Sequence, residues 1–522
     1  MFIRKKRAGR YDYLQVVENH REGSHTRQRV VATLGRLDRL QADGDIDTLM
    51  RSLERFCAQV KLQEAHSRGE LRALGAWSIG PELIFGRLWD RLKLPAIIGG
   101  LLERRKFEFD VEKAIFVTVL HRLFEAGSDR QAARWMTGVS VAGAEGIQLH
   151  HLYRAMRWLG GVKDRVEDGL FFSHQDLFTE LSLVFFDTTS IYFEGRGGET
   201  LGQLGCSKDR RGDHKQVVVG ALLTQTGRPI SCDVAPGNQT DVTALLPMVD
   251  RARARFGLKR VCWVADRGMC SKDIIEGLEE RQMEYILGVR MRAVKEVWEE
   301  VLSRAGRYRD VDDNFKVKEV WVGDRRYVLC YNPEEAAKDK ADREAIIEAL
   351  QEELERNPKA LVSNRGYRRF LKIDGKAISI NKDKVAEEER FDGRFVLRTN
   401  TTLPADEVAL RYKELWMVEA FFRAAKSLLE TRPVYHKYDD TIRGHIFSSF
   451  LALLLRHELM SSLALRGEKP EWADIVRDLA ALQEVEVEQD GRRYRLRLSL
   501  QGVCGKVFQA VGVAVPPHVR AV

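Results

Sequence analysis

Residues 183–187 read Leu-Val-Phe-Phe-Asp, and residues 261–266 read Val-Cys-Trp-Val-Ala-Asp. Each is a short apolar run that ends on a carboxylate. Runs of this length and composition predict buried strands. An acid just past such a strand projects from its carboxyl end, where open α/β sheets place their sites. Between the two runs lie Val217–Leu223 and Pro229–Ala235, which Thr226-Gly227 joins as a hairpin. Helix-spaced apolar residues follow over Val242–Phe256 and again over Ser271–Arg281.

Residues 181–290 therefore predict strand, strand, strand, helix, strand, helix, with the strand runs at Leu183–Asp187, Val217–Leu223, Pro229–Ala235 and Arg260–Ala265. Three meandering strands followed by helix–strand–helix make a mixed α/β sheet of the ribonuclease H type. In that fold an acid on the first strand lies beside an acid after the fourth. Asp187 and Asp266 are the acids in question. Taken singly, Asp187-Thr188-Thr189-Ser190 also suits a strand-end turn, and Asp266-Arg267-Gly268 a tight turn.

Two divalent ions a few ångströms apart need several carboxylate oxygens to bridge and flank them. A third acid is expected from the helical stretch 412–426, Tyr-Lys-Glu-Leu-Trp-Met-Val-Glu-Ala-Phe-Phe-Arg-Ala-Ala-Lys. Leu415, Val418, Phe422, Ala425 and Leu429 form its apolar stripe. Residues seven apart in a helix drift only about 20°, so Tyr412, Glu419 and Lys426 point the same way, flanked by Trp416 and Arg423. Of the nearby acids Glu407, Glu414, Glu419 and Glu430, only Glu419 shares that face. A carboxylate among an aromatic and two cations suits metal and phosphate chemistry. An exposed helix with a Glu419–Arg423 pair accounts for the same residues.

Outside this core, residues 1–75 predict a β-hairpin and helix region, with strands over Tyr11–Val17 and Arg27–Val31 around a Gly/Ser/His break. Residues 76–180 turn helical over Ala114–Glu125, Asp129–Met136 and Leu152–Leu159. Arg130, Arg134 and Trp135 make this a candidate DNA-binding unit, although solvated helices look the same. Residues 291–390 predict an inserted subdomain, with short strands around Gly323-Asp324 and a charged helix over Glu334–Glu355. The core resumes over 391–465 with the strand Phe395-Val396-Leu397. In the C-terminal region, 466–522, a turn at Asp490-Gly491 places Glu488 opposite Arg493, Glu486 opposite Arg495 and Glu484 opposite Arg497.

Composition sets outer bounds. The chain has 522 residues, 44% of them hydrophobic, and a formal charge of +8, the sign expected of a nucleic-acid partner. Seven scattered cysteines without a CxxC pair argue against a disulfide framework or a zinc module. Cys262, inside an apolar strand, is expected to be a core residue. The N-terminus has no apolar run of signal-peptide length, and Ile446–Leu455 is too short to span a bilayer. A soluble, intracellular protein is expected.

Together these segments resemble the DDE transposases of bacterial insertion sequences, which have a retroviral-integrase-like catalytic core. The closer resemblance is to the branch with a Tyr-x6-Glu-x6-Lys helix and an insertion before the Glu. Phe186-Asp187-Thr188-Thr189-Ser190, Gly237-Asn238-x-x-Asp241, Ala265-Asp266-Arg267-Gly268-Met269, Thr399-Asn400, Arg432-Pro433-Val434-Tyr435-His436 and Gly444-His445-Ile446 carry it, over roughly residues 181–460. Many members have Arg three residues after the Tyr, where this chain has Leu415, so that phosphate contact does not transfer.

The resemblance implies that Asp187, Asp266 and Glu419 hold two Mg²⁺ ions, with Mn²⁺ expected to substitute. It implies that Tyr412 and Lys426 contact double-stranded DNA near the cleaved end, with Arg423 and Trp416 beside them. A Trp of the insertion, Trp298 or Trp321, would stack on a flipped base. Also implied are binding of terminal inverted repeats, cleavage through hairpin ends, joining to target DNA, a homodimeric synaptic complex, and a cytoplasmic, nucleoid-associated bacterial setting without a membrane. A catalytically silent end-binding protein and a nuclease without strand transfer are the alternatives.

Overall fold

The computed structural model describes residues 1–22, 25–49, 52–53, 66–103, 105–173, 182–209, 211–258, 261–356, 369–374 and 377–522. The Gly23-Ser24 break and Cys57 lie outside them. Two compact units emerge. The smaller comprises Met1–Ala76, Glu484–Ser499 and Pro516–Val522, and the larger Trp77–Gln483 and Leu500–Val515.

In the smaller unit Phe2–Ala8, Tyr11–Glu22 and His25–Arg36 form an antiparallel three-stranded sheet. Arg4 fastens it by donating to Gln15 Oε1 at 3.3 Å and Gln28 Oε1 at 2.7 Å. The tail hairpin has the register read from its charges, with Glu484 opposite Arg497, Glu486 opposite Arg495 and Glu488 opposite Arg493. Asp490 (φ 51°) and Gly491 (φ 74°) are both left-handed, as the tight turn between the strands demands. Its charged face is the buried one, with Glu484 and Glu486 covered and Arg520 paired to Glu484.

The larger unit begins with helices. α1 (Val111–Phe124) is capped by Asp110, whose Oδ1 accepts from Lys113 N at 3.0 Å, and α2 (Asp129–Trp135) by a Ser128–Gln131 capping box. α3 (Leu149–Phe172) carries a buried Lys163, which donates to Glu167 Oε1 at 3.1 Å and to the carbonyl of Cys232 at 2.7 Å. Glu167 in turn accepts from Cys232 N and Ser231 Oγ, each at 2.9 Å. A buried ion pair is stable only when its remaining polar atoms are satisfied, and here they bolt α3 to the sheet.

The sheet has nine strands. β1 (Leu183–Tyr192), β2 (Gln216–Thr224) and β3 (Pro229–Pro236) meander antiparallel. α4 (Asp241–Phe256) leads to β4 (Cys262–Ala265), which pairs parallel to the free edge of β1. α5 (Lys272–Glu280) leads to β5 (Glu284–Val289), parallel to β4. β6 (Arg309–Asp312), β7 (Phe315–Val322) and β8 (Arg325–Tyr331) follow, then α6 (Pro333–Arg356) and β9 (Arg394–Thr399). The strand order is β6-β7-β8-β9-β5-β4-β1-β2-β3. The two short strands expected around Gly323-Asp324 are thus longer and belong to the main sheet, because β8 pairs with β9 along six residues. α6 lays its sparse apolar stripe, Ile346, Leu350 and Leu354, against Phe370 and Leu371.

Both faces of the sheet are covered, which explains the unbroken apolar runs of β1 and β4. Val184, Phe186 and Trp263 face α4 and α5. Leu183, Phe185, Cys262 and Val264 face α7 (Ala405–Lys413) and α8 (Trp416–Arg423). Ile446–Leu455 lies inside α9 (Asp439–Ala464), the one helix among the described residues long and apolar enough to cross a membrane, and 67% of its apolar window is buried. α9 crosses α3 where Gly160 and Gly444 meet. A β-carbon on either would overlap the other helix's backbone.

Candidate active site

Strand alternation aims the first two acids. β1 and β4 are in parallel register, with Phe186 opposite Ala265, so Asp187 and Asp266 follow side by side. By the two-residue period each points to the face of Leu183, Phe185, Cys262 and Val264, the face covered by α7 and α8. Asp187 does not end its strand as the sequence suggested. β1 runs on to Tyr192, because β2 continues to pair with it beyond Asp187. The open end belongs to β4, which stops at Ala265. A 3-10 turn over Arg267–Met269 follows Asp266.

Asp187 is mostly buried and accepts from Thr188 N at 2.7 Å. Lys208 Nζ lies 3.7 Å from Asp187 Oδ1 and 3.2 Å from Asp241 Oδ2, and donates to the Thr188 carbonyl at 2.7 Å. Asp241 also accepts from the Thr188 hydroxyl, so it joins the cluster. Burial pushes the Asp187 carboxyl up to about 6. Lys208 and the Thr188 N–H oppose the rise, while the charges of Asp266 and Asp241 add to it. The cluster therefore sets the Lys208 ammonium among the carboxylates of Asp187, Asp241 and Asp266, with Lys426 and Arg432 held on the adjoining Asp209. A donor set of this kind fits a hard divalent cation.

α7 delivers Tyr412, whose hydroxyl donates to Asp266 Oδ1 at 3.0 Å. The ring stacks on Phe395 of β9, with centroids 5.8 Å apart. Burial and the Asp266 charge push the phenol well above its usual range, so it remains a proton donor. The expected single helix from Tyr412 to Lys426 is interrupted. α7 ends at Lys413 and α8 starts at Trp416. Between them Leu415 N donates to Tyr412 O at 3.1 Å and Met417 N to Glu414 O at 3.0 Å, a tightening that lets buried Leu415 reach the core. Beyond α8 the ladder loosens into a π-helical turn over Ala424–Leu428.

Lys426 lies in that turn and donates to Asp209 Oδ1 at 2.9 Å, which Arg432 Nη1 also meets at 2.6 Å. Asp209 adjoins Lys208, so the residues one heptad before and after Glu419 end on the two sides of the acid pair. Glu419 sits between them on α8, which packs against β1. It is exposed, and its carboxylate has no hydrogen-bond or ion-pair partner among the described residues, Arg423 included. Trp416 (62% exposed) and Arg423 are on the surface. Trp298 lies in the turn Val297–Val301 packed on Val289 and Leu329, with its carbonyl bonded to Arg390. Trp321 is exposed and donates to Glu319 at 3.0 Å.

Lys208 and Asp209 take part although the sequence analysis had not singled them out, and Asp241 and Arg432, quoted there only within motifs, join them. The first two lie in the Gly-rich loop Gly202–Gly212, which has no periodicity to aim them. Glu108, His150 and His151 also converge, but Glu108 is taken by Arg154 and His151 Nδ1 by the Gln148 N–H.

The chain matches the family described as "Transposase DDE domain" over residues 179–455, and "IS1634 family transposase, N-terminal domain" over residues 2–65. No curated protein matches it. Among solved structures, a piggyBac transposase synaptic complex with hairpin DNA is similar at 10% identity, covering 77% of this chain and 78% of that one, with TM-score 0.34. A Mos1 transposase paired-end complex with the left transposon end is similar at 14% identity, covering 35% of this chain and 60% of that one, with TM-score 0.15. At such scores neither constrains this site. The first family alone spans more than half of the 522 residues, including Asp187, Asp266 and Glu419, and the chain belongs to the DDE transposases of insertion sequences.

Proposed function

We propose that Asp187, Asp266 and Glu419 are the metal-holding acids of a ribonuclease H-like core that cleaves DNA at the ends of an insertion sequence and joins them to a target. The order β3-β2-β1-β4-β5, with β2 antiparallel to its neighbours, supports that core. The observation that carries the reading is the convergence of Asp187 and Asp266 on the face covered by the helix pair that bears Glu419, with Tyr412 of that pair bonded to Asp266.

When bound, two Mg²⁺ ions, or Mn²⁺ in their place, would supply the charge that an in-line phosphoryl displacement requires. The chain's own residues do the rest. Asp187 and Asp266 are fixed by their strands, and Tyr412 holds Asp266 in one orientation. Lys208 holds Asp187 and Asp241 in a partly charge-compensated state. Arg423 and Trp416 stand on the exposed side along which a phosphate backbone would run, Lys426 would exchange its pair with Asp209 for a phosphate, and Trp298 and Trp321 belong to the strand-rich segment. The regions 1–75 and 76–180 supply end recognition, 181–290 and 391–465 the catalytic core, and 291–390 and 466–522 its additions. A homodimer synapses the two ends.

Incubation of labelled end DNA and a target plasmid with Mg²⁺ tests the reading. Joined product is expected from the unaltered chain. Glu419→Gln should abolish cleavage and leave the melting temperature unchanged, since an exposed, unpartnered carboxylate contributes little to stability. Cleavage without joining would favour a plain nuclease, and full cleavage by Glu419→Gln would remove the third acid.

A further inference from the structure

A cavity of about 550 Å³ lies beside α8. It is lined by Ala420 and Arg423 of α8, the π-helical turn that follows, the end of α1, Arg456 of α9, and α10 (Trp472–Ala481). Ala420 directly follows Glu419, and Arg423 stands one helical turn beyond it, about 6 Å along the axis. The cavity therefore adjoins the third acid of the candidate site. Phe124, Leu428, Val476 and the Trp472 ring give it apolar walls. Two guanidinia interrupt them. Arg423 is exposed and Arg456 is half-buried.

Arg456 departs from the way this chain treats other covered cations. Lys426 and Arg432 both meet Asp209, and Arg228 meets Glu458 at 2.7 Å. Glu458, two residues beyond Arg456, is thereby engaged. Arg456 has no acid or hydrogen-bond acceptor among the described residues, and its Nε is buried without a partner. The contact it makes is with Trp472, whose ring centroid lies 5.1 Å from the guanidinium. Covering a cation without a counter-charge costs stability. Arg423 likewise meets no acid among the described residues. Glu471 is the one acid among the lining residues and it is exposed, so two cations outnumber it.

A ligand that answers these groups is an anion with several acceptor oxygens joined to an apolar body. A DNA backbone phosphate is one, because its oxygens take guanidinium N–H bonds while its deoxyribose packs on apolar walls. A protein carboxylate would also meet the arginines, but a place one turn from Glu419 favours DNA.

We propose that this cavity seats a backbone phosphate next to the one being cut, with Arg456 donating from within, Arg423 at the mouth and the deoxyribose against Trp472 and Leu428. The assignment rests on the DNA-processing reading above and deepens it. Arg456 is then a DNA-positioning residue, kept at the expense of fold stability.

The test measures binding of the full chain to end duplexes at several salt concentrations, in chelator so that nothing is cut. Arg456→Met keeps an apolar stem and removes the charge. It should melt no lower than the unaltered chain, bind end DNA about tenfold more weakly and lower the salt slope by about one. Arg423→Gln should weaken binding in the same direction. A set of duplexes, each with one phosphate flanking the cut replaced by an uncharged methylphosphonate, then locates the contact. One of these should bind the unaltered chain about tenfold more weakly and show no further loss with Arg456→Met. An Arg456→Met chain that binds every duplex as tightly as the unaltered chain would overturn the proposal. A loss by the same factor on every duplex would overturn it too, since no one phosphate would then be the partner. Both results leave end binding by the unaltered chain, and the DNA-processing reading, standing. A chain that bound no end DNA would sink both.

Discussion

The Tyr412 hydroxyl occupies the space that a side chain on Gly288 would fill, and a β-carbon at Gly288 would overlap it. Gly288 is therefore the position on β5 that admits the phenol to Asp266. Tyr412→Phe removes the hydrogen bond and keeps the ring on Phe395. A hydrogen bond to a charged group is worth about 1.5–3 kcal/mol, so end cleavage should slow by about tenfold or more and the melting temperature should drop by a few degrees. Gly288→Ala displaces the whole side chain and should slow cleavage further. A Tyr412→Phe rate equal to that of the unaltered chain would show that Asp266 needs no such support.

Asp209 is expected to matter more for stability than either cation it holds. Its side chain is 10% exposed and lies between Lys426 and Arg432. Asp209→Ala leaves two half-buried cations facing each other beside Lys208, which should cost about 3 kcal/mol by urea unfolding. Lys426→Ala leaves Asp209 paired to Arg432 and should cost about 1 kcal/mol, while flattening the salt dependence of end binding. The reverse order of stabilities would mean that Asp209 is not the hub of the trio.

What the sequence revealed of this site follows from which forces leave a periodic trace. Strands buried on both faces are written as unbroken apolar runs, so Asp187 and Asp266 were legible with their order. The face of each acid was not read, since it needed the helices that cover one side of the sheet, and Asp187 lies inside β1 and not at its end. The tail register followed from Asp490-Gly491 and its facing charges. The break after Lys413 left no such trace, since neither Gly nor Pro marks it and a local tightening around Leu415 makes it. Lys208 and Asp209 reach the acids from a loop whose path depends on tertiary contacts alone. The strands β7 and β8 were visible as a pair around Gly323-Asp324, but nothing local says that β8 will find β9 some sixty residues later.

Acid should destabilise the larger unit through its buried imidazoles. Burial holds His121 down to about 3, with the Arg122 charge adding to the shift, and burial likewise lowers His436 and His445. A histidine lowered in the folded state contributes stability that is present above about 6.5 and lost as pH falls toward its folded value. Each such group can cost up to about 1.4 kcal/mol per pH unit over that window. Melting temperatures should fall as pH drops from about 6.5 to 5, where the three imidazoles outweigh the single opposing carboxyl of Asp187, and His445→Gln should melt lower at pH 7.5 with a shallower slope below 6.5. An unchanged slope would place the acid sensitivity elsewhere.

Asp187 should behave in the opposite sense. Its carboxyl, raised to about 6, lends stability that is complete below about 3.8 and is lost as pH rises through about 6. At pH 7.5 without metal its ionised form then costs about 3 kcal/mol, chiefly from burial and also from the neighbouring Asp266 and Asp241. Asp187→Asn removes that charge, and the amide oxygen can still accept from Thr188 N. In chelator at pH 7.5 the variant should melt above the unaltered chain. Millimolar Mg²⁺ or Mn²⁺ should raise the melting temperature of the unaltered chain and leave the variant nearly unmoved, because the added cation compensates a charge the variant lacks. A variant that melts lower in chelator and still gains from Mg²⁺ would mean that Asp187 is neither strained nor a ligand, and the metal would have to be sought away from β1.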